Sequence, residues 1–453
     1  MLRKNELIDL TITDITNQAS GVGRYDGMAV FVPGAAVGDQ LEVRIVKVLK
    51  HYAYGIIQTI LVSSPDRTED RCPVSRQCGG CSLRHLSYAA ECRIKEHWVM
   101  EQFRRIGGID ADPLPIQPSP SQSGYRNKAQ YPVRRGPDGT IRIGFFAPRS
   151  HRIVANRFCD LQPPFFGEIL GKIEDFLQRY QISAYDESRH QGLVRHLFLR
   201  WGEQTGETMV CLVLNGRQLP HQEELVRELT GAFPQIVSIQ LNVNLAKTNV
   251  ILGEECQVLY GKPTISDVLC GVKVELSPLS FYQVNRSGAE VLYRIAADFA
   301  GLTGTETVLD LYCGAGTIGL SMAHRARRVI GVEIVPQAVE NAWENARRNG
   351  IENATFRCND AAGAAQALAE EGLQPDVILL DPPRKGCDAA LLHTIGEMAP
   401  QKVVMISCNS ATAARDAAIL CRSGYQVVQY QAMDMFPRTS HVETIVLLQR
   451  ETL

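Results

Sequence analysis

The sequence predicts an α/β protein whose C-terminal part is a doubly wound, Rossmann-like domain, preceded by a small OB-like β-barrel and a central α+β unit. Three observations support this. From about residue 285, short apolar strands alternate with helical stretches, which is typical of a parallel sheet covered on both faces. Residues 1–62 instead hold β-rich runs separated by turns containing Gly and Asp. With 45% hydrophobic and 21% charged residues, the chain can bury a sizeable core.

The changes in pattern place the domain boundaries. We expect the barrel at 1–62, the central unit at 63–270 and the Rossmann-like domain at 271–453. A helix is predicted around 88–106, and residues from about 88 to 120 are expected to pack on the C-terminal domain.

Bulk charge and hydropathy exclude some classes of protein. The net charge of −2 does not indicate a nucleic-acid partner, so any such site must come from local charge. No apolar run approaches the ~20 residues of a membrane span, and the first fifteen residues lack the apolar core of a signal peptide. We therefore expect a cytoplasmic monomer without a membrane partner.

A nucleotide-binding loop follows the first strand of the Rossmann-like domain. Strand 307–313 (TVLDLYC) leads into the glycine-rich run 314–319, and a helix follows. The next strand ends near Glu333, whose carboxylate can accept hydrogen bonds from ribose hydroxyls. This pattern fits both NAD and S-adenosylmethionine. Asp310 and the Asp-Pro-Pro-Arg turn at 381–384 favour S-adenosylmethionine, and Asp360 could meet its adenine amino group.

A cysteine and two carboxylates indicate the chemistry. Carbon 5 of a pyrimidine is a poor nucleophile until a thiolate adds at carbon 6, and a base must then remove the carbon-5 proton. Cys408 follows strand 402–407 and precedes a helix, whose N-terminus lowers a thiol pKa. Asp381 follows the fourth strand of the domain, and Glu443, at the start of the last apolar strand, could be the base.

Four motifs in order, DLYCGAGTIGL, LLDPPRKG, SCNSAT and HVET, resemble the RNA uracil-C5 methyltransferase family, as does FYQVN at 281–285. The resemblance extends to residues 1–62, which look like a TRAM domain. It implies Cys408 as nucleophile and Glu443 as general base. It also implies a group of residues that hold the donor or orient the target base: Gln283, Tyr312, Glu333 and Asp381.

A second cysteine group lies in the central unit. Cys72, Cys78 and Cys81 are closely spaced, and Cys159 is the best candidate for a fourth ligand. Four thiolates suit either zinc or a [4Fe–4S] cluster, and the spacing alone does not decide. The Cys-x5-Cys-Gly-Gly-Cys run resembles the ribosomal-RNA branch of the family, which implies iron–sulfur.

A basic segment predicts the RNA surface, because cations contact phosphates and aromatic rings stack on unpaired bases. Residues 126–157 include eight arginine or lysine residues and a single acidic residue, Asp138. The basic residues are Arg126, Lys128, Arg134, Arg135, Arg142, Arg149, Arg152 and Arg157. The interleaved aromatic residues are Tyr125, Tyr131, Phe145 and Phe146. A second surface is predicted on the barrel at Lys47 and 50–52.

The resulting hypothesis is methylation of carbon 5 of a uridine in 23S ribosomal RNA, with transfer RNA as the alternative substrate. RNA cytosine-C5 methylation is less favoured, because those enzymes carry a second cysteine where this chain has Pro383. Arg384 replaces the aromatic residue that amino-group methylation would need. The Cys-x3-Cys-x2-Cys run of radical methylthiotransferases is absent from the sequence.

Overall fold

A small half-barrel forms the N-terminal domain of the computed structural model, which describes residues 2–451. Its strands are β1 (Leu7–Thr11), β2 (Asp14–Ile15), β3 (Ser20–Tyr25), β4 (Met28–Pro33), β5 (Gln40–Val48) and β6 (Tyr52–Val62). The sheet order is β1-β5-β6-β4-β3-β2. Strands β1 and β2 form the two opposite edges of this sheet. Only two residues separate them along the chain, so the sheet must curl to bring its edges close together. A Cβ on Gly23 would lie 2.5 Å from the Thr11 carbonyl oxygen, so this close crossing requires glycine.

The segment after the barrel is firmly packed. It holds α1 (Tyr88–Gln102), a π-helical turn (Phe103–Gly107) and β7 (Leu114–Gln117). The Ser87 side chain caps α1 by accepting from the Ala90 N–H. Trp98 on α1 donates its indole N–H to the Ile15 carbonyl at 2.7 Å, which fixes the barrel against this helix.

A mixed seven-stranded sheet forms the centre, in the order β10-β9-β8-β11-β12-β13-β14. Its elements are β8 (Lys128–Arg135), β9 (Ile141–Phe146), β10 (Ile153–Ala155), α2 (Pro164–Arg179), β11 (Val194–Trp201), β12 (Thr208–Leu214), α3 (Gln222–Ala232), β13 (Ile236–Val243) and β14 (Glu255–Gly261). Apolar residues of α2 and α3 cover one face of the sheet and form a continuous core with it.

A hairpin of β15 (Ile265–Leu269) and β16 (Val272–Leu276) follows. The predicted boundary at 270/271 falls in the turn of this hairpin. Both strands bury side chains in the same core as the C-terminal helices. We therefore propose that the C-terminal domain begins before β15.

The C-terminal sheet has eight strands in the order β19-β18-β17-β20-β21-β23-β22-β7. Its elements are α4 (Arg286–Ala300), β17 (Thr307–Leu311), α5 (Thr317–Met322), β18 (Arg328–Glu333), α6 (Pro336–Arg348), β19 (Ala354–Cys358), α7 (Ala361–Glu370), β20 (Val377–Leu380), α8 (Ala389–Met398), β21 (Lys402–Ser407), α9 (Ser410–Cys421), β22 (Tyr425–Met433) and β23 (Glu443–Arg450). Strands β17 to β21 are parallel, and β23 runs antiparallel between β21 and β22.

Helices cover both faces of this sheet, which confirms the predicted doubly wound fold. One core contains residues of α4, α5 and α6, and the other contains residues of α7, α8, α9 and α1. The strand order reverses between β17 and β20, and ligands bind at such a switch point, outside the carboxyl ends of the strands. No helix within residues 2–451 is long and apolar enough to cross a membrane.

Candidate active site

A cleft of about 1420 Å³ opens at the carboxyl ends of β17, β18, β20 and β21. The fold brings all seven predicted catalytic and donor-binding residues to its walls: Gln283, Tyr312, Glu333, Asp360, Asp381, Cys408 and Glu443. These residues are spread over 161 positions of the chain. The carboxyl ends of parallel strands bring five of them to one edge of the sheet, the start of the antiparallel strand β23 brings Glu443, and the loop before α4 brings Gln283.

The carboxylate of Glu333 is fixed at the end of β18. One oxygen accepts from the Gly314 N–H at 3.1 Å and the other from the Val335 N–H at 2.9 Å. A carboxylate oxygen has a second lone pair, so both oxygens can still accept from a ligand. This geometry suits a pair of ribose hydroxyls.

Asp310 supports the glycine-rich loop from beneath. One carboxyl oxygen accepts from the Gly319 N–H at 3.0 Å, and the other has no hydrogen-bond partner within the described chain. Burial, with the nearby carboxylates of Asp381 and Glu333, raises the pKa of Asp310 to about 7. The hydrogen bond from Asp310 to Gly319 connects the end of β17 to the start of α5.

Asp360 caps a helix, in addition to its predicted contact with the adenine amino group. It is the N-cap of α7, and its side chain accepts from the Gly363 N–H at 2.9 Å. The residue is exposed at the rim of the cleft. Helix capping and exposure account for an acidic residue here without a ligand, and the adenine contact stays a prediction.

Tyr312 and Gln283 are positioned through their backbones. Tyr312 adopts a left-handed conformation with φ 65°, which is unusual for a residue other than glycine and turns the chain out of β17. The Gln283 carbonyl accepts from the Asn127 side chain at 2.9 Å. The Asn127 N–H donates to the Val284 carbonyl at 2.9 Å, so the central unit is anchored at this wall of the cleft.

Cys408 and Glu443 are brought together by strand pairing. The ladder between β21 and β23 ends with Ser407 opposite Thr444. The next residues outward, Cys408 and Glu443, therefore lie opposite each other at the cleft. Glu443 is 8% exposed, and burial, followed by the carboxylate of Asp381, raises its pKa to about 8. Burial, followed by the carboxylates of Glu443 and Asp381, also raises the pKa of the Cys408 thiol.

Arg384 is a site residue that the sequence analysis missed. Its guanidinium lies beside both Cys408 and Glu443 and lowers the pKa of each, against the larger effect of burial. The Arg384 carbonyl accepts from the side chain of Asn409, the N-cap of α9, at 3.0 Å. A cation beside the thiol stabilises its thiolate form. The only available signal was the position of Arg384 after the two prolines.

The four cysteine thiols in the central unit lie near one another. Burial comes first among the causes that raise the pKa values of Cys78, Cys81 and Cys159, and neighbouring thiols of the group add to it. The pKa of Cys81 reaches about 12. Cys72 contributes to this repulsion at both Cys78 and Cys159. Within residues 2–451, no three His, Cys, Asp or Glu side chains are placed to hold a metal ion as they stand.

The predicted basic surface needs two corrections. Tyr125 and Tyr131 are 3% and 1% exposed, so neither ring can stack on a base. Their hydroxyls instead donate to the Pro437 carbonyl and the Gln162 side chain. Both rings are buried because they alternate with the outward-facing cations of the same chain segment.

The basic surface is also partly neutralised by acids from other elements. Arg134 pairs with Glu187 and Arg157 with Glu174. These acidic partners could not be predicted from the sequence, because they lie outside the basic segment along the chain. Two basic residues, Arg126 and Lys128, line the cleft itself. Burial, with the nearby Arg200 and Arg126, lowers the pKa of Lys128 to about 8.

Comparisons with known proteins agree with this arrangement. The family described as tRNA (Uracil-5-)-methyltransferase matches residues 272–451, and the TRAM domain matches residues 2–57. An uncharacterized RNA methyltransferase of Halalkalibacterium halodurans is 43% identical over 99% of this chain and 98% of its own length. One from Clostridium tetani is 41% identical over 99% of this chain and 97% of its own.

A solved structure has a similar fold throughout. It is the tRNA (uracil-54, C5)-methyltransferase of Pyrococcus abyssi in complex with S-adenosyl-L-homocysteine. It superposes with a TM-score of 0.78 and 27% identity, covering 97% of this chain and 99% of the other. With its TRAM barrel and Rossmann-like C-terminal domain, the chain belongs to the RNA uracil-C5 methyltransferase family.

Proposed function

We propose that this protein methylates carbon 5 of a specific uridine in 23S ribosomal RNA through a covalent adduct between Cys408 and carbon 6. The observation that carries the proposal is the convergence of Cys408, Arg384 and Glu443 beside the glycine-rich loop, in a single cleft. S-adenosylmethionine, when bound, supplies the methyl group as an electrophile and leaves as S-adenosylhomocysteine.

The protein residues account for the remaining steps. The Cys408 thiolate adds to carbon 6 and makes carbon 5 nucleophilic, and Arg384 stabilises that thiolate. After methyl transfer, the Glu443 carboxylate takes the proton from carbon 5. The electron pair of the broken C–H bond re-forms the ring double bond and expels the Cys408 thiolate. The ionised form of Glu443 acts as the base: its raised pKa makes that form a stronger base for this weakly acidic proton, and the form becomes the majority above about pH 8.

The donor pocket is the part of the cleft next to the glycine-rich loop. We assign Glu333 to the ribose hydroxyls and Asp360 to the adenine amino group. Gln283, Tyr312 and Asp381 line the same cleft, and we assign them to holding the donor or orienting the target base. The fixed carboxylate of Glu333 supports this assignment, as does the S-adenosyl-L-homocysteine complex of the Pyrococcus abyssi protein.

The RNA substrate is the finer part of the proposal. The Cys-x5-Cys-Gly-Gly-Cys run supports ribosomal RNA by resemblance to that branch of the family. Transfer RNA is the second candidate, favoured by the likeness to the Pyrococcus abyssi enzyme over nearly the whole chain. Arg126 and Lys128 offer two cations to the RNA backbone at the cleft, whichever RNA is bound.

The substrate assignment can be tested by mass mapping of ribosomal and transfer RNA from a deletion strain. We expect loss of one or more 5-methyluridines from 23S RNA and their return when the gene is restored. A strain carrying a Cys408→Ala gene is the matched control, because it produces the protein without the nucleophile. Loss confined to transfer RNA would select the second candidate, and loss from neither RNA would refute both.

We also propose that Cys72, Cys78, Cys81 and Cys159 hold a [4Fe–4S] cluster. The proposal rests on four cysteines as soft ligands and on the resemblance of the Cys-x5-Cys-Gly-Gly-Cys run to the ribosomal-RNA branch of the family. A single zinc ion needs all four sulfurs at ~2.3 Å from one point, whereas each sulfur of a cubane cluster binds a different iron.

Anaerobic purification followed by metal analysis tests the cluster. We expect about four irons per chain and a brown protein with absorption at the blue edge of the visible spectrum. A Cys81→Ser variant should lose both, while Cys358→Ser, which changes an exposed cysteine elsewhere, should keep them. Stoichiometric zinc in a colourless protein would refute iron.

A further inference from the structure

The loop that leads to Glu443 is held from its far side by a buried charge network. This loop, residues 434–442, joins β22 to β23, and its members Phe436 and His441 line the cleft. Lys95 on α1 is fully buried and donates to Asp434 at 2.7 Å, to Glu91 at 2.8 Å and to the Phe436 carbonyl at 3.3 Å. Helix α1 therefore holds the beginning of the loop.

Arg438 connects the middle of the same loop to two other parts of the chain. Its N–H donates to Glu91 at 2.7 Å. Its carbonyl accepts from the N–H groups of Ser82 and Leu83 at 2.9 and 3.1 Å. Its guanidinium donates to the Leu86 carbonyl at 3.1 Å and to Gln122 at 2.9 Å.

The backbone of Arg438 shows that this arrangement is imposed by its surroundings. Its φ is 72°, a left-handed conformation that an arginine adopts only when neighbouring contacts hold it there. Ser82 directly follows Cys81, so the loop before Glu443 and the cysteine segment share a pair of hydrogen bonds. Ser82 and Arg438 are 356 residues apart along the chain, and Arg438 links the two segments directly.

We propose that Arg438 is a positioning residue that holds the 434–442 loop, and through it Glu443, in register with the cysteine segment. The proposal rests on the proposed function for the role of Glu443. Phe436, His441 and Glu443 line the cleft, whereas Arg438 is not among its lining residues and contacts Glu91, Leu86 and Gln122 instead. Because proton removal from carbon 5 depends on the placement of the base, loosening the loop should slow that step and leave RNA binding intact.

Kinetics of three variants test the positioning role. Arg438→Ala removes the guanidinium bonds to Leu86 and Gln122 and keeps the backbone bonds, so it should lower kcat by about ten-fold, leave KM for RNA within about two-fold, and let the covalent RNA adduct accumulate on denaturing gels. Arg438→Lys keeps a cation that can donate to Leu86 and should recover part of the loss. Arg450→Ala, on the far end of β23, is the matched control and should behave like the wild type. A wild-type kcat in Arg438→Ala, or a loss confined to KM, would overturn the proposal.

Hydrogen exchange without RNA gives a readout independent of activity. Arg438→Ala and Cys81→Ser should both speed exchange of the amides in 434–442, whereas Arg450→Ala should not. If Arg438→Ala fails to fold, Gln122→Ala, which removes one exposed partner of the guanidinium, should show a smaller increase. Unchanged exchange in the folded variants would refute the link even if the enzyme is active. Faster exchange in a protein that methylates no uracil would instead refute the proposed function.

Discussion

Replacing Glu443 by glutamine should stabilise the protein at neutral pH while stopping its reaction. Burial and the carboxylate of Asp381 raise the pKa of Glu443 from 4.5 to about 8. The folded protein therefore binds a proton that the unfolded chain has released at pH 7. Each pKa unit corresponds to about 1.4 kcal/mol, so this proton uptake lowers the stability by about 3 kcal/mol at pH 7.

The pH dependence distinguishes this effect from a change in packing. When folding raises the pKa of a group, the contribution of that group to the free energy of unfolding is complete below the unfolded pKa. The contribution is lost as the pH rises toward the folded pKa. Glu443→Gln, which cannot ionise, should thus gain about 3 kcal/mol over the wild type at pH 7 and less than about 1 kcal/mol at pH 5. Urea denaturation of both proteins at the two pH values measures this difference.

The same variant tests catalysis. With Cys408 intact, Glu443→Gln should form the covalent RNA adduct and fail to release it, so denaturing gels should show trapped protein–RNA. A gain in stability that is equal at pH 5 and pH 7 would refute the assigned pKa. Absence of trapped adduct, with multiple turnovers intact, would refute Glu443 as the base.

The remaining predictions concern four other residues. Cys408→Ala should abolish methyl transfer while RNA affinity stays within about two-fold in filter binding, because the thiol contributes chemistry and little binding energy. Arg384→Gln should shift the pH profile of Cys408 alkylation to higher pH, since the guanidinium favours the thiolate. Lys95→Met should destabilise the protein by about 3–5 kcal/mol in urea denaturation, because two buried carboxylates lose their cation. Lys128→Ala should reduce the slope of log affinity against log salt by about 1, the loss of one phosphate contact, and an unchanged slope would contradict that contact.

Motifs that act within a few residues could be predicted from the sequence. The glycine-rich loop after β17 and the Asp-Pro-Pro-Arg turn after β20 each join a strand to the structure that follows it. Their function depends on short spacings, such as a strand end next to a helix start. For this reason the doubly wound fold and the seven cleft residues were predictable, since parallel strands send their carboxyl ends to one edge.

Contacts between distant segments were not predictable. The basic segment looked uniformly exposed, but strand alternation buried Tyr125 and Tyr131, and acids from other elements neutralised Arg134 and Arg157. Burial is a property of the packed sheet, and a charge partner can come from any part of the chain. Neither the burial of a ring nor the identity of a charge partner can be predicted from the local spacing of residues.

The sequence by itself predicted the residues to which we assign the chemistry, because the proposed nucleophile, base and donor loop each lie in a local motif. Only the tertiary structure decided how they work together. Strand β23 pairs antiparallel with β21, and this pairing places Glu443 opposite Cys408. The cost of burying charge raises the pKa of Glu443, and the guanidinium of Arg384 offsets part of that cost at the thiol. The contacts of Arg438 arise the same way, from packing between segments that the chain itself keeps far apart.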